Sequence, residues 1–423
     1  MTEKRAHRLT VDKRLCYASS KLPSLTSFIR RTLSLKCSFF SILIFSLTPG
    51  SLFAQQTFVF IEKSYPNGLV KEKYQGLVVN GDTVRQGRYL YFFDTGVLNQ
   101  EGFYTNGKPD SIWITYYPNG ARLSLFHYQN GKKEGPFIFW NADGTLYQQG
   151  NYMNDRLDGE LETFYPNGMI SARSEYRTGK LNGISEVYDE SGLLRLRSGY
   201  KNDTLHGLWE SYYETGELNY KGTKCNGFYC DTLYTYFKNG NLLRKTYYVN
   251  GRIDGIMVSF HENGALHIKA EYRNGVQDGI YEEHYPDGKL KEKGNYVGNQ
   301  KDGRWTSYYQ TGLKHGQGDF FRGNLEGKWV FWWPNGSLKQ EGIYCGGKAC
   351  GMWKFYNSSG MLIIHGYYID DKENGIWTTF YPNGSVAGRI WYVSGKPASV
   401  KWLYDNQGGL QKRFNLERLD DKL

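Results

Sequence analysis

The sequence lacks a run of the roughly twenty apolar residues that a membrane-spanning helix needs. It lacks a helical hydrophobic period of any length, which argues against an α or α/β domain. Histidine is scarce, eight in 423 residues. The seven after the leader (His127, His206, His261, His267, His284, His315 and His365) fall at scattered repeat positions, with no serine, cysteine or carboxylate at a convergent point. There is no phosphate-binding glycine loop, nucleophile elbow or pair of catalytic carboxylates, so no catalytic, cofactor-binding or metal residue is expected. A basic stripe is missing too. The net charge of +10 is concentrated in residues 1–54, where nine Lys/Arg oppose Glu3 and Asp12. That leaves 43 basic and 40 acidic residues, a net of +3, over the remainder. Nucleic-acid binding is not expected.

What is present is repetition. Aromatic residues make up 17% of the chain, with 51 Gly and 36 Tyr, the composition of a β-rich chain full of turns. The stretch Gly327–Cys350 reads as one β-hairpin and the turn leading to the next. Lys328–Trp333 and Ser337–Tyr344 have strand composition and flank the turn signal Pro334-Asn335-Gly336. The pattern recurs every 24 residues from Gly87. With Gly87 as position 1, position 10 is glycine in fourteen successive units from Gly96 to Gly408, without insertion or deletion. Position 6 is aromatic in all units but the one with His284, and position 18 is tyrosine in eleven.

Units such as Trp113-Ile-Thr-Tyr-Tyr-Pro-Asn-Gly120 and Gly375-Ile-Trp-Thr-Thr-Phe-Tyr-Pro-Asn-Gly384 resemble the MORN-repeat variant of YwqK-type antitoxin-like proteins. The resemblance covers roughly Ser64 to Gly408. It implies a scaffold rather than a reaction, with partner binding, lipid contact or toxin neutralisation as the functions such families suggest. The expected fold is all-β: an elongated, single-layer, twisted antiparallel sheet of tandem 24-residue β-hairpin repeats, about 130 Å long by strand spacing.

The chain divides into four segments. Residues 1–54 read as an export leader, because Phe39-Phe-Ser-Ile-Leu-Ile-Phe-Ser-Leu47 follows Arg30, Arg31 and Lys36, and Ser51-Leu-Phe-Ala54 offers a cleavage site. Residues 55–86 are an N-terminal capping hairpin with the turn Tyr65-Pro66-Asn67-Gly68, in which Thr57-Phe-Val-Phe-Ile61 pairs as the capping strand. Gly68 to Gly96 is 28 residues, four more than the period. Residues 87–408 are the fourteen repeats, and 409–423 a charged C-terminal cap or tail.

Two hairpin registers compete. Position 16 is glycine in seven units (Gly102, Gly150, Gly222, Gly294, Gly318, Gly342, Gly366), and position 3 of those units is always aromatic (Tyr89, Phe137, Trp209, Tyr281, Trp305, Trp329, Trp353). A ring over a strand glycine shields its backbone, which favours pairing position 3 with 16. Proline at position 8, as in Pro118 and Pro334, suits a type I turn with a glycine bulge and shifts the pairing by one.

Cys225 and Cys230 occupy positions 19 and 24, as do Cys345 and Cys350 five units later. They are expected to face each other across a four-residue loop as two local disulfides. One zinc ion cannot join pairs roughly 48 Å apart. The position-24 acids (Asp110, Glu134, Asp158, Asp254, Asp278, Asp302, Glu326) read as turn chemistry in preference to a calcium edge. The adjacent aromatics Tyr116-Tyr117, Tyr212-Tyr213, Tyr308-Tyr309 and Trp332-Trp333 point to opposite faces of a strand. They supply lateral cohesion or a partner surface. The expected protein is exported (periplasm, outer-membrane surface or secreted) and non-catalytic, and binds an unidentified partner protein along an aromatic-rich sheet face. A glycan- or lipid-headgroup-binding surface is the alternative, and an antitoxin-like neutraliser rests on the resemblance alone.

Overall fold

The computed structural model describes residues 57–415; the expected leader and residues 416–423 lie outside them. The described chain falls into two compact units, divided between Arg156 and Leu157. The first runs through the strands Thr57–Ser64, Val70–Val79, Asp82–Phe92, Leu98–Thr105, Lys108–Tyr116, Arg122–Gln129, Lys132–Trp140 and Leu146–Met153. The second runs from Gly159–Phe164 to Leu410–Asn415. In each unit strands pair antiparallel with their sequence neighbours as a single layer of hairpins. No described residue is helical.

Two turn types alternate, each dictated by local chemistry. In the first, Gly120 N donates to Tyr117 O (2.9 Å) and Tyr117 N to Ala121 O (2.8 Å). Gly120 sits at φ +84°, which a residue with a Cβ resists. This is the type I turn with a glycine bulge that Pro118 suits, and it pairs Tyr116 with Arg122. The register then slips, leaving position 13 unpaired, so that Thr115 meets Ser124 and Trp113 meets Phe126. Both pairings occur, on opposite sides of one bulge. The second turn has two residues, such as Asn106 (φ 51°) and Gly107 (φ 77°), the type I′ geometry that Asn-Gly favours.

That second turn corrects the expected cysteine geometry. Its loop is two residues long, not four: Cys225 pairs with Phe228, and Cys230 with Thr223. The cysteines are therefore diagonal rather than facing, with Cα–Cα distances of 5.8 and 5.9 Å. Both pairs are still bonded, because diagonal neighbours on one hairpin remain within disulfide reach.

The ends follow the same rules. Thr57–Ser64 pairs with Val70–Val79, Phe58 meeting Leu77. The four extra residues before Gly96 lengthen Val70–Val79 and Asp82–Phe92 by two each relative to the next hairpin's Leu98–Thr105 and Lys108–Tyr116. Leu410–Asn415 pairs with Lys396–Tyr404, so part of the segment assigned to a cap completes the fourteenth hairpin.

One face of the sheet is closed by rings. Trp353 stands edge-on to Tyr344 (5.0 Å between centroids, 86°), and Trp377 likewise to Tyr368 (4.9 Å, 81°). The side chain that covers Gly102, Gly294, Gly318, Gly342 and Gly366 is not the facing partner but the position-3 tryptophan of the following hairpin, and Leu233 takes that place over Gly222. Gly342 pairs with Trp329, yet Trp353 lies across it. The reason is a second bulge between hairpins: Glu341 meets Lys354 and Ile343 meets Cys350, which leaves Gly342 alone against Trp353. The bulge also frees the Ile343 carbonyl, which accepts the Trp353 indole hydrogen at 3.1 Å.

Candidate interaction surface

The eight aromatics singled out in the sequence are all half-buried. Those at position 7 form rungs from each hairpin to the next. Tyr117 Oη donates to Trp140 O (2.9 Å), Tyr213 to Tyr236 O (2.7 Å) and Tyr309 to Trp332 O (2.8 Å). Trp333 Nε1 donates to Tyr356 O at 3.1 Å. A parallel set of asparagine rungs runs beside them, as Asn335 Nδ2 donates to Ser358 O (2.7 Å). At position 6, Tyr116 and Tyr212 donate to Glu101 (2.7 Å) and Glu210 (3.0 Å). Lys314 lies 5.5 Å from the Trp332 ring.

The position-24 acids are engaged in the turns. Glu134 accepts from Asn154 N, Asp158 from Thr178 N and Glu326 from Gly346 N, each at 2.8 Å. Among the described residues no three His, Cys, Asp or Glu gather closely enough to hold a metal ion.

The face opposite the rings carries positions 2, 4, 15 and 17. In the second unit it begins with an ion-pair run. Arg173 bonds Glu160 (2.7 Å) and Glu162 (3.0 Å), and Arg197 bonds Glu186 (2.8 Å). Lys221 reaches Glu210 at 3.2 Å. Burial pushes the Glu186 carboxyl up, but the Tyr188 hydroxyl and the Arg197 guanidinium hold it below the ordinary carboxylate value. An open depression of about 470 Å³ lies among Arg173, Glu175, Ile184, Arg197 and Leu208.

Positions 2 and 17, which pair across each hairpin, have no fixed chemistry. Arg304 and Asp319 form a two-pronged ion pair there (2.7 and 3.0 Å). In other hairpins the same sites expose apolar groups: Phe103 and Ile112 in the first unit, Tyr367, Ile376 and Trp391 in the second. Sequence reasoning passed over them because it followed the invariant positions, which the structure assigns to turns, rungs and rings. The available signal was their inconstancy: a site that holds an ion pair in one unit and a tryptophan in another is not dictated by the repeat.

Nine segments of the chain (85–106, 133–154, 157–178, 205–223, 232–250, 253–274, 277–297, 325–345 and 373–393) match the family described as MORN repeat variant. The match is to the repeat unit and singles out no subfamily. No curated protein shows significant similarity to the chain. Among solved structures, it aligns with a TcdB2-TccC3-Cdc42 crystal structure at 11% identity, covering 83% of this chain and 25% of that one, with a TM-score of 0.15. It aligns with the Photorhabdus luminescens Tc holotoxin pore at 13% identity, covering 86% and 24%, also with a TM-score of 0.15. The chain thus spans about a quarter of those toxin-complex chains. Superpositions that low carry no argument.

Proposed function

Because the chain is a tandem array of MORN repeat variants, we propose that it is an exported, non-catalytic scaffold that holds a partner protein on the face opposite the aromatic rings. The observation that carries this reading is the contrast at positions 2 and 17. An Arg304–Asp319 ion pair satisfies the sheet there, so the exposed Tyr367 and Trp391 are not needed for folding. Large apolar side chains that the fold does not require, grouped on one face, are the ordinary mark of an interaction surface. The two intra-hairpin disulfides support an oxidising compartment.

The test is photo-cross-linking in cells that make the chain naturally. A photoreactive residue at Phe103 or Tyr367 is expected to trap a discrete protein, and one at Val187, exposed on the ring-covered face, is not. Equal trapping from both faces, or none from either, would overturn the reading.

A further inference from the structure

The apolar residues at positions 2 and 17 recur on every strand near the C-terminal end of the second unit. Ile343, Met352, Tyr367, Ile376 and Trp391 stand one to a strand on five adjacent strands, from Leu338–Cys345 to Val386–Val393. Met352 pairs with Tyr367 and Ile376 with Trp391, while Cys350 and Asn374 face Ile343 and Tyr367 between hairpins. Tyr367 is 50% exposed, Trp391 44%, Ile343 42% and Ile376 41%. Five strands span roughly 19 Å. Two positions along the same strands runs a second row with Lys354, His365 and Arg389. Arg389 has no carboxylate ion pair among the described residues; it stands between Thr378 and Trp402, with the Tyr404 ring 5.6 Å away. Lys354 also pairs with Glu341, which opens the same row, at 3.9 Å. The strip is therefore apolar along one side, and along the other Lys354, His365 and Arg389 outnumber one carboxylate.

Two contrasts show that the repeat does not impose this pattern. Between Glu160 and Lys221 the same rows carry five carboxylates (Glu160, Glu162, Glu175, Glu186, Glu210) against Arg173, Arg197 and Lys221. Between them and the strip, Arg304 and Asp319 neutralise each other. In the last hairpins Lys354 and Arg389 stand beside the exposed Tyr367 and Trp391, with Glu341 as the one carboxylate in their row, paired to Lys354 at 3.9 Å.

We propose that this strip binds an acidic amphipathic segment of the partner protein, its apolar side chains on Ile343–Trp391 and its carboxylates on Lys354 and Arg389. The proposal rests on the scaffold reading and names the chemistry of the partner for one part of that face. A helix of about thirteen residues would cover the strip, and charge complementarity selects the acidic one. The Cys345–Cys350 bridge holds the first turn of the strip, with Cys350 paired to Ile343.

The experiment uses the whole chain and a fluorescein-labelled helical peptide of about fourteen residues, a leucine row flanked by glutamates. The comparison probes are its lysine-for-glutamate twin and vesicles of phosphatidylglycerol. The expected result is that the glutamate peptide binds, the lysine twin does not, and binding weakens as salt rises. Lys354→Glu with Arg389→Glu is expected to weaken it by roughly tenfold or more, and so is Tyr367→Ser, at an exposed site that the fold tolerates. Arg304→Ala, elsewhere on the face, should leave it unchanged. Far-UV spectra and melting curves verify that each variant is folded. Equal binding of both peptides, no binding of either, or binding of vesicles alone would overturn the proposal. If Tyr367 still cross-links a protein in cells, the scaffold reading survives and only the acidic chemistry falls. If no position-17 site cross-links, both fall.

Discussion

Gly342 has no room for a methyl group: a Cβ there would enter the Trp353 ring. The glycine is thus a packing requirement of its neighbour hairpin. Gly342→Ala is expected to cost about 1–3 kcal/mol by overpacking, read as a lower melting temperature and faster amide exchange in Leu338–Tyr356. Trp353→Leu should remove most of that penalty, so a double-mutant cycle will be strongly non-additive. The rings carry a second residue-scale consequence. Burial, aided by the Glu72 carboxylate, pushes the Tyr89 phenol up to about 12. Burial also raises Tyr344 and Tyr368. These phenols stay neutral in the folded chain but ionise near pH 10 when it unfolds. Their contribution to stability is therefore complete below about pH 10 and lost as the pH rises above it. The urea midpoint should fall between about pH 10 and pH 12, with the exposed tyrosines ionising first and the tyrosinate absorbance of the buried phenols appearing only as the chain unfolds.

At the scale of the hairpin, stability is divided between turns that form locally and rungs that tie each turn to the next. Asn335 does both. Its Oδ1 accepts from Ser337 N (3.1 Å) within the turn, and its Nδ2 donates to Ser358 O (2.7 Å) in the following hairpin. Asn335→Ala loses both bonds and is expected to cost about 1–2 kcal/mol, measured by thermal melting. The disulfides reinforce the other turn. Replacing Cys345 and Cys350 by serine should cost about 2 kcal/mol by loop-closure entropy, and reducing agent should lower the melting temperature of the parent chain but not that of a variant lacking all four bonded cysteines.

For the molecule as a whole, the uninterrupted 24-residue period implies that repeats are interchangeable in length. Each contacts chiefly its neighbours, so stability is close to a sum of repeat and interface terms. Deleting residues 303–326 joins Asp302 to Gly327, the same junction as Asp302 to Gly303. That variant is expected to keep the β spectrum and a cooperative melt. Deleting residues 303–314 removes half a period, joins position 24 to position 13, and should abolish the cooperative transition.

The sequence by itself determined what is local: the hairpins, their glycine-closed turns and the capping strand. Positive φ at Gly120 leaves a residue signature, and Thr57–Ile61 reads as a strand from composition alone, whereas the turn at Asn106-Gly107 is two residues long where four were expected. Only the tertiary structure decided how neighbouring hairpins meet. The bulge at position 13 holds residues as different as Asn99, His267, Lys291 and Ala387, so no residue type announces it. That slip joins the two registers that the sequence held apart. The second bulge, between hairpins, moves the ring over Gly342 from Trp329 to Trp353. For the same reason the conspicuous Tyr308-Tyr309 and Trp332-Trp333 pairs drew attention as a surface while the structure uses Tyr309 and Trp333 as rungs. Tyr367 and Trp391, inconspicuous in sequence, are the ones left open. Turn chemistry is written in adjacent residues; lateral packing is settled by backbone slips between strands that share no sequence signal.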